Sequence, residues 1–145
     1  MERGKMQEIK ATPIKVRYAE TDQMGIVHHS VYAIWFEACR TDYMEQLGYP
    51  YSRMEEEGII TPLVKLECTF REGARYGDTV LVSAKLKSLS YVKLEITYEV
   101  RREADGHLLA EGSTTLGCAD RNLHIINLKK VNPALYARLE GQLEK

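Results

Sequence analysis

One change of period constrains this chain more than any other feature. Between Val31 and Leu47, seven apolar residues (Val31, Tyr32, Trp35, Phe36, Cys39, Tyr43 and Leu47) recur at three- and four-residue steps, which is one face of an amphipathic helix. Nearly everywhere else apolar residues alternate with polar ones, the period of a half-buried strand. Any fold for this chain has to set several one-faced strands against a single long helix.

The helix has legible ends. Ser30 is the expected N-cap; "LGYP" supplies the stop, with Gly48 after the last turn and Pro50 beyond it. "SRME", Ser52 to Glu55, has capping-box spacing and predicts a short second helix ending near Gly58. Upstream, "IKVRYA" alternates, with Ile14, Val16 and Tyr18 on the apolar face of a strand. Downstream, "LVKLECTFR" puts Val64, Leu66, Cys68 and Phe70 on one face, and "TVLVSAKLK" and "YVKLEITYEV" repeat the pattern. "LLAEGSTTLGC" continues it through Leu108, Ala110, Thr114, Leu116 and Cys118. Gly77 and Asp78 mark one turn, Asp105-Gly106 a tight hairpin, and Asn132-Pro133 the cap and first residue of a terminal helix. The economical solution is an α+β domain: a curved antiparallel sheet wrapped around the long helix. Its outer face and edge strands call for cover, and oligomerisation is the expected remedy.

Length and composition narrow the function. The 145 residues fit one domain spanning 1–145, with residues 1–11 polar and loose. Twenty basic and 21 acidic side chains leave a net charge of -1, without the basic excess of a nucleic-acid-binding domain. No apolar run suggests a signal or a membrane span. Cys39, Cys68 and Cys118 are odd in number and far apart, so a disulfide framework or structural zinc is not expected. A reducing cytoplasm is the expected compartment.

The chemistry concentrates in "ETDQMGIVHHS", where a strand end runs into the helix start. A helix start leaves unpaired N–H groups and a partial positive charge, which suits an anion or a developing oxyanion. Gly25 permits tight curvature there, and Asp22 is a carboxylate within reach of such a site. That pairing fits hydrolysis of an activated carbonyl; an Asp before a helix serves equally as a turn or capping residue. His28 and His29 cannot share one helix face, which disfavours a metal pair, and no metal site is expected. His107, beside the hairpin turn, and His124, in a late strand, read as structural. Nucleophile-elbow, phosphate-loop and dinucleotide-binding motifs are absent. Cys39 and Cys68 fall on apolar faces as inert thiols.

"YAETDQMGIVHHSVYAIWFEACR", Tyr18 to Arg40, resembles the signature of the hotdog-fold acyl-CoA thioesterases of the 4-hydroxybenzoyl-CoA thioesterase/YbgC type. The matching positions are Asp22, Gly25, Ile26-Val27, His28-His29 and Tyr32. The resemblance implies a hotdog fold and hydrolysis of acyl-CoA to a free acid and CoA, with no cofactor beyond the CoA carried by the substrate. It makes Asp22 the catalytic carboxylate, as general base or nucleophile, with His29 and Tyr18 contributing to the site. It also makes the helix start the oxyanion hole, for which the backbones of Gly25, Val27, His28 and His29 are candidates. Tyr32, Trp35, Phe36 and Pro62 are candidates for the acyl groove. Arg71, Arg75, Lys85, Lys87 and Lys93 are candidates by type for the CoA phosphates. The implied assembly is a homodimer building a homotetramer with the site at the dimer interface. An acyl carrier protein thioester is the alternative substrate, and a non-catalytic acyl-binding hotdog protein the alternative class. His28 gains no catalytic role from the comparison.

Overall fold

A computed structural model of the protein describes residues 6–143. The chain runs β1 (Thr12–Lys15), a 3-10 turn (Tyr18–Glu20), α1 (His29–Gln46), α2 (Tyr51–Glu56) and β2 (Leu63–Phe70). It continues through β3 (Thr79–Leu89), β4 (Lys93–Arg102), β5 (Leu108–Gly117), α3 (Leu128–Val131) and α4 (Pro133–Glu140). The strands form one antiparallel sheet in the order β1-β3-β4-β5-β2, so β1 and β2 are its edges.

The apolar stripe of α1 is buried as its spacing predicts: Val31, Tyr32, Trp35, Phe36, Cys39 and Tyr43 meet Val80, Val82, Ile96, Val100 and Leu116 of the sheet. Phe36 stacks on Tyr98 with centroids 4.3 Å apart and planes within 8°. Gly112 makes that contact possible, because a Cβ there would stand 2.8 Å from the Phe36 ring and 2.3 Å from the Glu67 carbonyl oxygen. Removing a ring buried this fully, as in Phe36→Ala, costs about 3–5 kcal/mol.

Several local expectations are corrected. The first strand stops at Lys15, so Tyr18 does not lie on a strand face. α2 begins at Tyr51 behind Pro50, without a Ser52 capping box. A bulge opposite Val100 and Arg101 shifts the β5 register, burying Leu109 and Ala110 consecutively and leaving Leu108 half-buried. His124 sits in an exposed loop, not a strand, with its Nδ1 3.7 Å from Asp120 Oδ2. α3 was not expected. Of the supposedly loose residues 1–11, residues 1–5 lie outside the described part, whereas Gln7 and Lys10 are pinned by side chains of Gln142 and Gln46. Asn132 does cap α4 through the Leu135 N–H, with Pro133 at its first position.

β2 stands apart. It alternates like β4, yet Leu63, Val64, Leu66 and Phe70 are all exposed.

Candidate active site

Two short devices shape the segment between β1 and α1. In the first, Glu20 N–H donates to Arg17 O (3.0 Å) and Thr21 N–H to Tyr18 O (3.1 Å), closing the 3-10 turn. The turn throws Tyr18 outward, 77% exposed, where its ring meets Tyr76 edge-on at 5.7 Å. In the second, Thr21 and Val27 bridge across a tight loop, Asp22 N–H donates to Ile26 O (2.9 Å), and Gly25 N–H to Asp22 O (3.0 Å). Gly25 has φ +79°, a left-handed conformation that costs a residue with a side chain about 1–2 kcal/mol.

Asp22 does not cap the helix. Its Oδ1 accepts the Met24 N–H at 2.8 Å in an Asx turn, and Oδ2 has no partner among the described residues. The cap is His28 rather than Ser30: its Nδ1 accepts the Ser30 N–H at 3.2 Å and lies 2.8 Å from Ser30 Oγ. His28 thus has a structural role at the helix start. Its ring also lies 4.1 Å from that of His29.

The N–H groups at the helix start separate the four oxyanion candidates. Gly25 N–H is used by Asp22 O, Val27 N–H by Ala74 O (2.9 Å) and His28 N–H by Glu20 O (2.9 Å). His29 N–H alone of the four has no acceptor among the described residues. As the first residue of α1, it carries one of the donors that a helix cannot satisfy internally.

Asp22 and His29 border the same cavity, about 230 Å³, whose apolar wall includes Ile26, Val27, Tyr32 and Phe70. Tyr32 packs edge-on against Phe70 at 5.1 Å, and burial pushes its phenol pKa up, partly offset by a hydrogen bond with the Ala74 backbone. Trp35 and Phe36 do not line this space; they belong to the core. Pro62 lies in a separate depression with Arg40 and Tyr51. Tyr18 does not line the cavity either. Among the expected cations, Arg71 lines it while its Nη2 pairs with Glu111 Oε1 at 2.6 Å. Arg75 reaches the Asp22 loop, with Nη1 3.8 Å from where a Gly25 Cβ would stand. Lys85 and Lys87 line a polar groove of about 460 Å³ alongside Ser83, Thr97 and Ser113, and Lys93 opens β4.

Two residues around this cavity and loop escaped the sequence. Phe70 was legible as an apolar strand residue, but not as a cavity wall. Glu20 read as one more polar residue, yet the 3-10 turn buries it to 8% exposure beneath the loop. Burial pushes the Cys39 thiol up to about 12 and that of Cys118 up to about 11, and raises Cys68 as well. Among the described residues no cluster of His, Cys, Asp and Glu could hold a metal ion, and no helix is long and apolar enough to cross a membrane.

A five-stranded antiparallel sheet packed on one long helix, with a carboxylate loop at that helix's open start, defines an α+β protein of the hotdog fold. The thioesterase-like superfamily matches residues 16–139, and the chain belongs to it, among the thioester hydrolases. The DHNA-CoA thioesterase of Staphylococcus aureus is 35% identical in sequence and superposes with a TM-score of 0.86, over 90% of this chain and 88% of that one. TT1821 of Thermus thermophilus, described as a hypothetical protein, is 46% identical with a TM-score of 0.84, over 93% of this chain and 98% of that one. YneP of Bacillus subtilis, provisionally named an acyl-CoA thioesterase, is 34% identical over 128 residues, 88% of this chain and 92% of that protein.

Proposed function

We propose that this protein is an acyl-CoA thioesterase in which Asp22 is the reacting carboxylate and the His29 N–H the oxyanion donor. One observation carries the reading: a carboxylate with a free oxygen and a helix-start N–H without an acceptor border the same cavity. The CoA-thioesterase names of the Staphylococcus aureus and Bacillus subtilis relatives support it.

In this mechanism the acyl group lies against Ile26, Val27, Tyr32 and Phe70, and the thioester oxygen points at the His29 N–H. Asp22 Oδ2 draws a proton from water as the water attacks the carbonyl carbon, or attacks that carbon itself. Both routes pass through a tetrahedral intermediate whose negative oxygen receives the His29 N–H and the positive end of α1. Collapse expels CoA as its thiolate and leaves the free acid, directly or by hydrolysis of a mixed anhydride. Arg71 and Arg75, next to the cavity and loop, are the cations best placed for the CoA phosphates. The bare apolar residues of β2, an edge strand with free backbone groups, fit pairing with β2 of a second copy.

A panel of short-chain, long-chain and aromatic acyl-CoAs, assayed for free thiol with wild type and Asp22→Asn, tests the assignment. General-base or nucleophilic loss predicts a fall of about 10²–10⁴ in kcat for a folded variant. Equal turnover by the two proteins would remove Asp22 from the mechanism. Single turnover in ¹⁸O-water gives a positive sign of the nucleophilic route, because label enters Asp22 only through an anhydride that water opens at the Asp22 carbonyl carbon.

A further inference from the structure

Two carboxylates flank Thr21, and they behave in opposite ways. Asp22 keeps an oxygen free, whereas Glu20 uses everything it has. Glu20 Oε1 accepts the Arg17 N–H at 2.8 Å, Oε2 accepts the Trp35 indole N–H at 3.2 Å, and the Arg17 guanidinium stands 3.6 Å from Oε2. Its main-chain oxygen accepts the His28 N–H at 2.9 Å. A buried carboxylate is costly unless its oxygens meet donors, so this arrangement holds only while each partner stays in place.

The partners matter because of where they sit. Trp35, 2% exposed, lies six residues into α1 from His29, about 9 Å along the helix at 1.5 Å per residue. His28 is the cap immediately before the open His29 N–H. Glu20 therefore grips α1 at two levels, the core through its side chain and the cap through its carbonyl, two residues before Asp22.

We propose that Glu20 is a positioning residue: its paired grip on Trp35 and His28 sets the Asp22 carboxylate in register with the His29 N–H. The inference rests on the proposed role of Asp22. Glu20 touches no reacting atom; it governs how often the two reacting groups are correctly aligned, and misplacement by about 1 Å can cost about a hundredfold in rate. The carboxylate is needed rather than an amide, because Gln at this position would turn an N–H donor toward either the Arg17 N–H or the indole N–H.

Glu20→Gln and Trp35→Phe, each compared with wild type and Asp22→Asn, test this. Trp35 is the sole tryptophan, so its indole N–H gives one isolated ¹H–¹⁵N signal. In Glu20→Gln that signal should shift and exchange faster with solvent, while kcat falls about tenfold to a hundredfold and KM stays within about twofold. Trp35→Phe should lower kcat in the same way, and the double variant should fall no further than Glu20→Gln alone. Should Glu20→Gln fail to fold, Trp35→Phe decides the matter by the same kcat and KM split. A folded Glu20→Gln with wild-type kcat, beside an inactive Asp22→Asn, would overturn the positioning role and leave the proposed function standing. An unmoved indole signal would overturn the grip itself. Absence of thioester turnover by wild type would overturn the proposed function and this role together.

Discussion

The two ends of α1 are built to opposite specifications. At the C-terminal end, Gly48 turns the chain with φ +85°, and the Arg138 guanidinium donates to the carbonyl oxygens of Leu47 (3.2 Å) and Gly48 (3.0 Å). The Gln46 amide trades hydrogen bonds with Lys10, and Tyr49 N–H returns to Met44 O. This end is closed on all sides by protein groups. At the N-terminal end the groups around His29 are consumed by Glu20, Ala74 and the His28 side chain, yet His29 N–H is left open beside an uncommitted carboxylate oxygen. The open end presents an N–H and a carboxylate oxygen to a cavity, whereas at the closed end the Leu47 and Gly48 carbonyl oxygens are taken up by Arg138.

The sharpest way to break this contrast is to remove the open N–H without touching the helix. Proline is tolerated at a first helical position, where its missing N–H has no intrahelical partner. His28 already has φ -62° and ψ 141°, the extended conformation preferred before proline. His29→Pro should fold and lose about 10²–10³ in kcat relative to His29→Ala, which keeps the N–H. Equal rates for these two variants would end the oxyanion role; the fall from wild type to His29→Ala measures the imidazole alone.

Caps at the two ends should separate rate from stability. His28→Ala should cost about 1 kcal/mol, the usual value of an N-cap, and lower kcat as the first turn loosens. Arg138→Ala at the other end should cost about 1 kcal/mol of stability through its two lost hydrogen bonds and leave kcat unchanged. Urea titrations run beside steady-state kinetics distinguish the two patterns. A kcat loss in Arg138→Ala would show that the closed end also takes part in alignment.

How much of this was legible in the chain depended on how far each determinant reaches. The α1 stripe and the burial of β3 and β4 follow local periodicity, and periodicity predicted them. Alternation says which face of a strand is apolar, but not whether anything covers it, so β2 and β4 looked alike. The 3-10 turn at Tyr18–Glu20 ends the strand pattern and sets Glu20 against Trp35, a tertiary contact that no window of six residues contains. Ser30 is the better cap by propensity, but His28 occupies the extended position before the first turn. The site segment was recognisable through its resemblance to a family. Which N–H stays open was not, because the answer depends on Ala74, nearly fifty positions away.

The smallest effect expected concerns a polar latch just beyond the closed end. The Glu57 carboxylate accepts hydrogen bonds from the Tyr49 hydroxyl and from Asn132 Nδ2, while Asn132 Oδ1 caps α4 through the Leu135 N–H at 3.0 Å. The Tyr49 hydrogen bond, with help from Arg53, lowers the Glu57 pKa below its ordinary value of 4.5. The folded protein therefore binds this proton less readily than the unfolded chain. The stabilisation is complete above about pH 4.5 and fades as pH falls through the folded-state value. Thermal unfolding of wild type and Glu57→Gln across pH 3–7 should show wild type ahead at neutral pH, with the gap closing toward the acid end. Because the latch joins α2 to α4 and makes no contact with the Asp22 loop, kcat of Glu57→Gln should match wild type at every pH where both are folded. A gap in Tm that widens as pH falls would reverse the sign and place the proton-linked stability elsewhere.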